Sequence, residues 1–186
     1  MYKLCTTERA AQQQNIMEAA FLRLLNKHHY DDITITDICR EANLSRKVFY
    51  RLYEKKSDVL YSLIDHKLME ASTYQPDASV GPGELHRFLA YWKEQKDVLY
   101  ALSANKVNSL LAERAIQFIL REDSDLQHCF GTDEMPYGRE AMRFYITGVF
   151  ALVLAWHSNG FDKSIDELSR ILMHLLTTPP VKRPLY

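Results

Sequence analysis

Cysteine is scarce in this chain. Its 186 residues hold three, Cys5, Cys39 and Cys129, far apart and with no C-x-x-C spacing. That pattern encodes neither a disulfide framework nor a zinc site, and free thiols fit a reducing cytosol. Glycine and proline number six each, which excludes collagen-like and low-complexity architectures. Charge of one sign is missing too. The net charge is −1, so no global field draws the whole chain onto nucleic acid or an acidic membrane. Any such contact needs a local patch. The longest apolar run, Val149 to Trp156, falls far short of the roughly 20 residues that span a bilayer. The first residues, MYKLCTTERAAQQQ, lack the apolar stretch of a secretory signal. A soluble, cytoplasmic protein with no membrane partner is expected.

What is present is ordinary globular composition, 47% hydrophobic and 25% charged, patterned as helices from end to end. From Arg9 to Lys27 the residues Ala10, Ile16, Ala19, Ala20, Leu24 and Leu25 recur at helical spacing. Tyr30-Asp31-Asp32 breaks the pattern. Thr34 reads as an N-cap with Asp37 in the capping-box place, opening a short helix over Ile35–Glu41. Asn43 tolerates the left-handed backbone that a helix C-terminus needs. Ser45 caps a second short helix, Arg46–Tyr53, and Ser57-Asp58 opens a longer one through Leu68.

Residues 74–83, YQPDASVGPG, form the best boundary in the chain. Helices are expected beyond it near Glu84–Gln95, Asp97–Ala104, Ser109–Arg121, Tyr137–Ser158 and Ile165–Leu176. The acidic, turn-rich 122–136 segment reads as a loop. Asn159-Gly160 stops the penultimate helix, and Ser164 with Glu167 caps the last. The proline-rich tail reads as extended or disordered. No sustained β-alternation and no internal repeat occur.

Helix, tight turn, short helix is the helix-turn-helix plan, in which the second helix projects into the major groove. Its outer face here would carry Ser45, Arg46, Lys47, Tyr50 and Arg51, while Val48, Phe49 and Leu52 turn inward. From Arg46 to Lys56 five basic residues face one acid, a local charge of +4 in a chain that is −1 overall. That is the electrostatic footprint of a DNA reader.

The stretch ITITDICREANLSRKVFYRLYEKKSDVL resembles the N-terminal DNA-binding domain of the TetR/AcrR transcriptional regulators. The family pattern T-V-x-D-I-A, A-G-V-S, F-Y-x-x-F, S-K-x-x-L is similar to Thr34–Cys39, Ala42–Ser45, Phe49–Tyr53 and Lys55–Leu60 here. Later, FYITGVFALVLAWHSNGFDKSIDELSRILMHLL is similar in plan to the last two helices of such regulators, including a W-x-x-N-G turn. The resemblance implies an all-α protein with two parts. Residues 1–67 would form a three-helix helix-turn-helix DNA-binding domain, and 68–186 a helical dimerisation and ligand-binding domain. It implies a homodimer on a palindromic operator, usually a repressor, released by a small molecule.

By matching positions, Thr36 would touch a phosphate and Ser45 would cap the recognition helix. Arg46 and Lys47 would approach bases or phosphates, with Arg51 adding charge beside them. Tyr50 would donate to a phosphate, and Lys56 would serve one at the next helix N-terminus. The chain departs from the pattern at four places. Asn43 replaces Gly, Lys47 a small residue, Lys55 the capping Ser, and Arg51 a frequent His.

The apolar helix over 137–158 and the stripe of the last helix should pair with a second copy in a four-helix bundle. Val149, Leu168, Leu172 and Leu175 would face the partner, with Gly148 allowing close approach. Phe88, Tyr91, Trp92, Tyr100 and Phe118, with Trp156, would line a pocket for a small apolar or aromatic effector. No nucleophile elbow, P-loop, zinc-protease motif or paired carboxylates occur, so no catalytic residue, metal or cofactor is expected. Two other classes remain open. One is a co-activator of the same fold that binds protein through its N-terminal helices. The other is a small all-α enzyme.

Overall fold

The computed structural model describes residues 7–76, 83–120 and 138–177. The expected 122–136 loop, the 177–186 tail beyond Thr177, Cys5 and Cys129 lie outside the described residues. Among those described, nine α-helices and one 3-10 turn make up the regular structure, with no strand. They are α1 Glu8–Leu25, the 3-10 turn Tyr30–Asp32, α2 Ile35–Glu41, α3 Arg46–Leu52 and α4 Lys56–Thr73. Then follow α5 Glu84–Glu94, α6 Lys96–Ala104, α7 Ser109–Ile119, α8 Gly138–Ser158 and α9 Ile165–Thr177.

The boundaries follow local chemistry. Thr7 accepts from Ala10 N–H at 3.2 Å and starts α1. Thr34 and Asp37 form a complete capping box at α2. Ser164 and Glu167 do the same at α9, with Ser164 N–H donating to Glu167 at 2.8 Å and Glu167 N–H to Ser164 Oγ at 3.2 Å. Lys55 lacks a capping hydroxyl. Asp58 compensates by reaching back to the N–H groups of Glu54 and Lys55, at 3.0 and 3.1 Å.

Three helices end in the same way. Asn43, Lys106 and Gly160 take φ of 51°, 56° and 67°. In each case the next residue donates back five positions: Leu44 to Cys39, Val107 to Leu102, Phe161 to Trp156, at 2.8–3.0 Å. This double closure satisfies carbonyls that a helix end would leave bare.

The chain forms two compact units. Residues 1–69 with 97–118 make the first, and 70–96 with 119–186 the second. The expected boundary at 67/68 falls inside α4, close to the division at Met69 and Glu70. The expectation had not placed α6 and most of α7 with the N-terminal helices. Polar side chains join them there. Arg114 of α7 pairs with Asp65 of α4, Nε to Oδ1 at 2.7 Å with a second bond from Nη2, and lies 5.4 Å from the Tyr61 ring. Both partners are largely buried, 17% and 5% exposed.

The core of the first unit holds Met17, Phe21, Leu25, Ile38, Phe49, Leu52, Val59 and Ile64. A polar knot sits inside it. Glu18 is 4% exposed and takes hydrogen bonds from Ser62, from Tyr53 at 3.3 Å and from His66 at 2.8 Å. Gln14 donates to Ser62 at 2.6 Å. Burial, then the neighbouring Glu18 charge, push the Tyr53 hydroxyl far above its ordinary range, so it stays a donor.

In the second unit α5 packs against α9 and α8. Phe88 and Trp92 each meet Phe150 edge to face, at 5.7 and 5.4 Å, and meet each other at a tilt at 6.2 Å. By length and composition α8 could cross a membrane. The expectation from the Val149–Trp156 run alone had excluded any such helix. A whole 21-residue helix with few charges passes where a strictly apolar run does not. One side of α8, Met142, Ile146, Phe150, Val153 and Trp156, is buried within the unit.

Candidate nucleic-acid interface

The α2–turn–α3 segment is held at both ends before any partner is considered. The capping box sets the start of α2. Asn43 turns the chain, and Ser45 caps α3 by accepting from Val48 N–H at 3.3 Å. Phe49 and Leu52 anchor the inner face of α3 at 0% and 3% exposure. The Phe49 ring also meets that of Tyr53 at a tilt, with centroids 5.5 Å apart. Cys39 is buried beneath the turn, and burial pushes its thiol up, so it packs as a small apolar residue.

The outer face carries Ser45, Arg46, Lys47, Tyr50 and Arg51, all exposed, with Thr36 exposed on α2. The Tyr50 ring stands 46% exposed. Arg46 donates to the Tyr50 hydroxyl at 3.3 Å, and its guanidinium lies 5.8 Å from that ring. The hydroxyl therefore points along the same face as the cation. Arg51 donates to Gln13, a neutral partner that leaves its charge intact. Lys47 has no side-chain partner among the described residues.

The acids nearby are already engaged. Asp37 pairs with Arg40 at 2.6 Å and Glu41 with Arg23 at 2.6 Å. The Thr34 hydroxyl holds the Asp37 carboxyl below the usual range, and Arg23 does the same for Glu41. The α3 face thus keeps its cations unneutralised.

Lys56 departs from expectation. Its ammonium donates to the carbonyls of Tyr30 at 2.5 Å, Ile33 at 2.8 Å and Asp31 at 3.4 Å. It also sits 4.2 Å from the Tyr30 ring centroid. The ammonium expected to serve a phosphate thus donates to three backbone carbonyls of the chain itself.

The sequence reading also missed Asn105. Its Oδ1 accepts from Tyr30 N–H at 2.5 Å, while Nδ2 donates to Leu25 C=O at 3.1 Å and Ala101 C=O at 2.8 Å. No local pattern marks such a contact across 75 positions. Glu18 and Gln14 were more visible, being polar residues on the stripe of Met17, Phe21 and Leu25.

The six aromatics expected to line a pocket do not gather in one unit. Tyr100 and Phe118 belong to the first, Tyr100 being 53% exposed. Phe88, Tyr91 and Trp92 cluster in the second. The Tyr91 hydroxyl donates to Glu70 at 2.8 Å, and burial with that acidic partner raises its pKa far above the ordinary range. Trp92 is fully buried and its indole N–H has no hydrogen-bond partner among the described residues. Trp156 instead closes its own turn: it donates to Lys163 C=O at 2.9 Å and meets Phe161 at 4.8 Å. Phe161 holds a φ of 57°, unusual for a bulky residue, and the five-position closure with this ring contact stabilises it.

The expected partner-facing set needs correction. Leu168 and Leu172 are 3% and 2% exposed within the chain itself, because α9 lays that stripe against α5. Val149 is half-buried and Leu175 is 46% exposed. The exposed faces carry other residues. On α8 they are Phe144, 69% exposed, with Gly148, Ala151 and Ala155; on α9 they are Ile171, Met173 and Leu175. An open groove of about 430 Å³ runs along α9, lined by Ile171 and Leu175 and rimmed by Lys163, Glu167, Arg170 and His174. A Cβ added to Gly148 would meet nothing within 4 Å.

No family model and no curated protein match the sequence. A solved structure described as "Dihydroxyacetone kinase operon activator DhaS" is similar, with a TM-score of 0.52 over 88% of this chain and 93% of that one, at 19% identity. The likeness at that identity is one of fold: this chain has the all-helical architecture of that regulator.

Proposed function

We propose that the chain is a DNA-binding transcription regulator that reads an inverted repeat as a homodimer. The observation that carries this is the α3 face. Arg46, Lys47, Tyr50 and Arg51 stand exposed on a short helix whose other side is locked into a core, and the flanking acids are paired elsewhere. A helix so presented fits the major groove, with cations for phosphates and two candidates, Arg46 and Lys47, for base edges. Thr36 and Ser45 would approach the backbone beside them. The resemblance to TetR/AcrR regulators and the regulator-like fold support the same reading, and a cytoplasmic location goes with it. Fluorescence anisotropy with duplexes covering the DNA upstream of its own gene is the test. Binding that is sequence-selective and falls with salt supports the function. No binding at low salt would sink it.

Dimerisation would use the exposed faces of α8 and α9. Gly148, Ala151 and Ala155 let backbones approach closely, while Phe144, Ile171 and Leu175 supply apolar area. The direction of control we take as repression, from the family resemblance. The similar solved chain is described as an activator, so a promoter fusion with and without the gene decides between them. Effector binding is proposed for the second unit, around Phe88, Tyr91 and Trp92. The buried Trp92 N–H supports it, because an unmet buried donor costs about 1–3 kcal/mol and an acceptor on a small molecule would recover that. A ligand favouring the conformer unable to span two grooves would lower operator affinity by the ratio of its two affinities.

A further inference from the structure

The segment between α1 and α2 is short, polar and largely on the surface, yet its backbone is gripped from two distant places. Asn105, the C-cap of α6, takes the N–H of Tyr30 at 2.5 Å and ties it to the last carbonyls of α1 through Leu25 C=O at 3.1 Å. Lys56, the first residue of α4, takes the carbonyl of the same Tyr30 at 2.5 Å and that of Ile33 at 2.8 Å. Both main-chain groups of one residue are thus held by side chains 26 and 75 positions away. The Tyr30 ring adds an edge contact to Phe21 of α1 at 6.2 Å and the ammonium of Lys56 at 4.2 Å.

The placement gives the grip its consequence. Ile33 is 3% exposed, and Thr34, the cap of α2, follows it directly. Lys56 lies just beyond the end of α3 and reaches back to the segment just before α2. The helix-turn-helix is therefore closed into a ring by one ammonium. Asn105 fastens that ring to α1 and α6. A base reader needs its supporting elements held to a fraction of an ångström, since a misplaced contact loses most of its value.

We propose that Asn105 and Lys56 are positioning residues that hold Tyr30–Ile33, and through it α2 and α3, in the geometry that reads DNA. This rests on the DNA-reading function proposed above. It assigns Lys56 a task inside the chain in place of a phosphate contact, and it gives α6 a direct hold on the reading head.

The test uses the full chain and two duplexes, one from upstream of its own gene and one of mixed sequence. Asn105→Ala and Lys56→Met should each weaken binding to the first about tenfold, with the salt slope unchanged. The double variant should lose less than the product of the two, because both act through one segment. A slope lowered by about one in Lys56→Met marks a phosphate ligand and overturns its assignment. Unchanged affinity in Asn105→Ala, or strictly multiplicative losses, overturns the shared junction.

Amide hydrogen exchange on the free protein provides the arm that needs no DNA. The Tyr30 N–H should be protected in the wild type and lose that protection in Asn105→Ala, while α9 stays unchanged. Should the variants not fold, exchange of the wild-type Tyr30 amide at an open-loop rate refutes the grip, and slow exchange supports it. A wild type that binds neither duplex but protects Tyr30 keeps the grip and defeats the proposed function instead.

Discussion

The two units of this chain are stabilised by different chemistry. The first is knotted by polar side chains working at long range: Glu18 with Ser62, Tyr53 and His66, Asp65 with Arg114, Asn105 and Lys56 with the Tyr30 segment. Such buried polar networks favour one geometry over many, although Asn108 Oδ1 in the same unit is buried with no hydrogen-bond partner among the described residues. The second is joined mainly by aromatic edges and aliphatic stripes. It leaves Phe144, Ile171, Met173 and Leu175 exposed, and among the described residues the Trp92 indole N–H and His157 Nδ1 are buried with no hydrogen-bond partner. Under the proposed function, a unit presenting a fixed face to a rigid duplex would gain from directional bonds. Under the proposed function, a unit accepting a second copy and a small guest would gain from adaptable apolar surface.

The largest effects should separate those apolar faces. Leu172→Glu places a charge in the α5–α9 core and should cost the second unit about 4 kcal/mol or more. Loss of helical signal in a denaturant titration would register it. Ala151→Glu, on the exposed side of α8, should leave the fold intact but give monomers by light scattering. A folded dimer in Ala151→Glu would place the partner elsewhere, and a wild-type monomer at micromolar concentration would remove it.

On the reading head, replacing Arg46 and Lys47 by Ala together with Tyr50→Phe should weaken operator binding roughly 100- to 1000-fold, from about 1 kcal/mol per contact, the low end of the range for a base contact. Thermal stability should hardly move, because these side chains are exposed. Equal loss of stability would show that the face is structural.

Within the polar knots, Asp65→Ala leaves Arg114 buried without its carboxylate and should cost about 3 kcal/mol in chemical denaturation. Asp65→Leu with Arg114→Met should recover most of that, since a well-packed apolar pair avoids the desolvation penalty. If the double variant is as unstable as the single one, the ion pair is stabilising in its own right.

The smallest effect compares the two capping boxes. Asp37 is held acidic by the Thr34 hydroxyl, and Glu167 by the Ser164 backbone N–H and hydroxyl. Both carboxyls are more acidic folded than unfolded. Their contribution is complete above the unfolded value near 4 and is lost as pH falls through the lower folded value. Asp37→Asn and Glu167→Gln should each flatten the acid limb of stability against pH in melts between about pH 5 and 3.

Much of the first unit was legible because its signals are local. Thr34 with Asp37, Asn43 and Ser45 act within one turn of chain, so helix starts and stops came out within two residues for α1 to α3. The basic face of α3 was legible for the same reason, since helical spacing alone places Arg46, Lys47 and Tyr50 together. The α8 and α9 helices were legible as elements, but not their faces. Leu168 and Leu172 belong to a stripe with two flanks, and periodicity does not say which flank meets α5.

What the sequence by itself determined was the set of helices, their caps and one exposed basic helix, all interactions spanning a few residues. Only the tertiary structure decided the rest. It tied the Lys56 ammonium to three backbone carbonyls, placed α6 and most of α7 with the N-terminal helices, where Asn105 and Arg114 bond, divided the aromatics between two units, and turned Leu172 inward. Each of these depends on contacts tens of residues apart. Which distant group lies within hydrogen-bond reach is set by how whole helices pack, and local pattern carries no record of it.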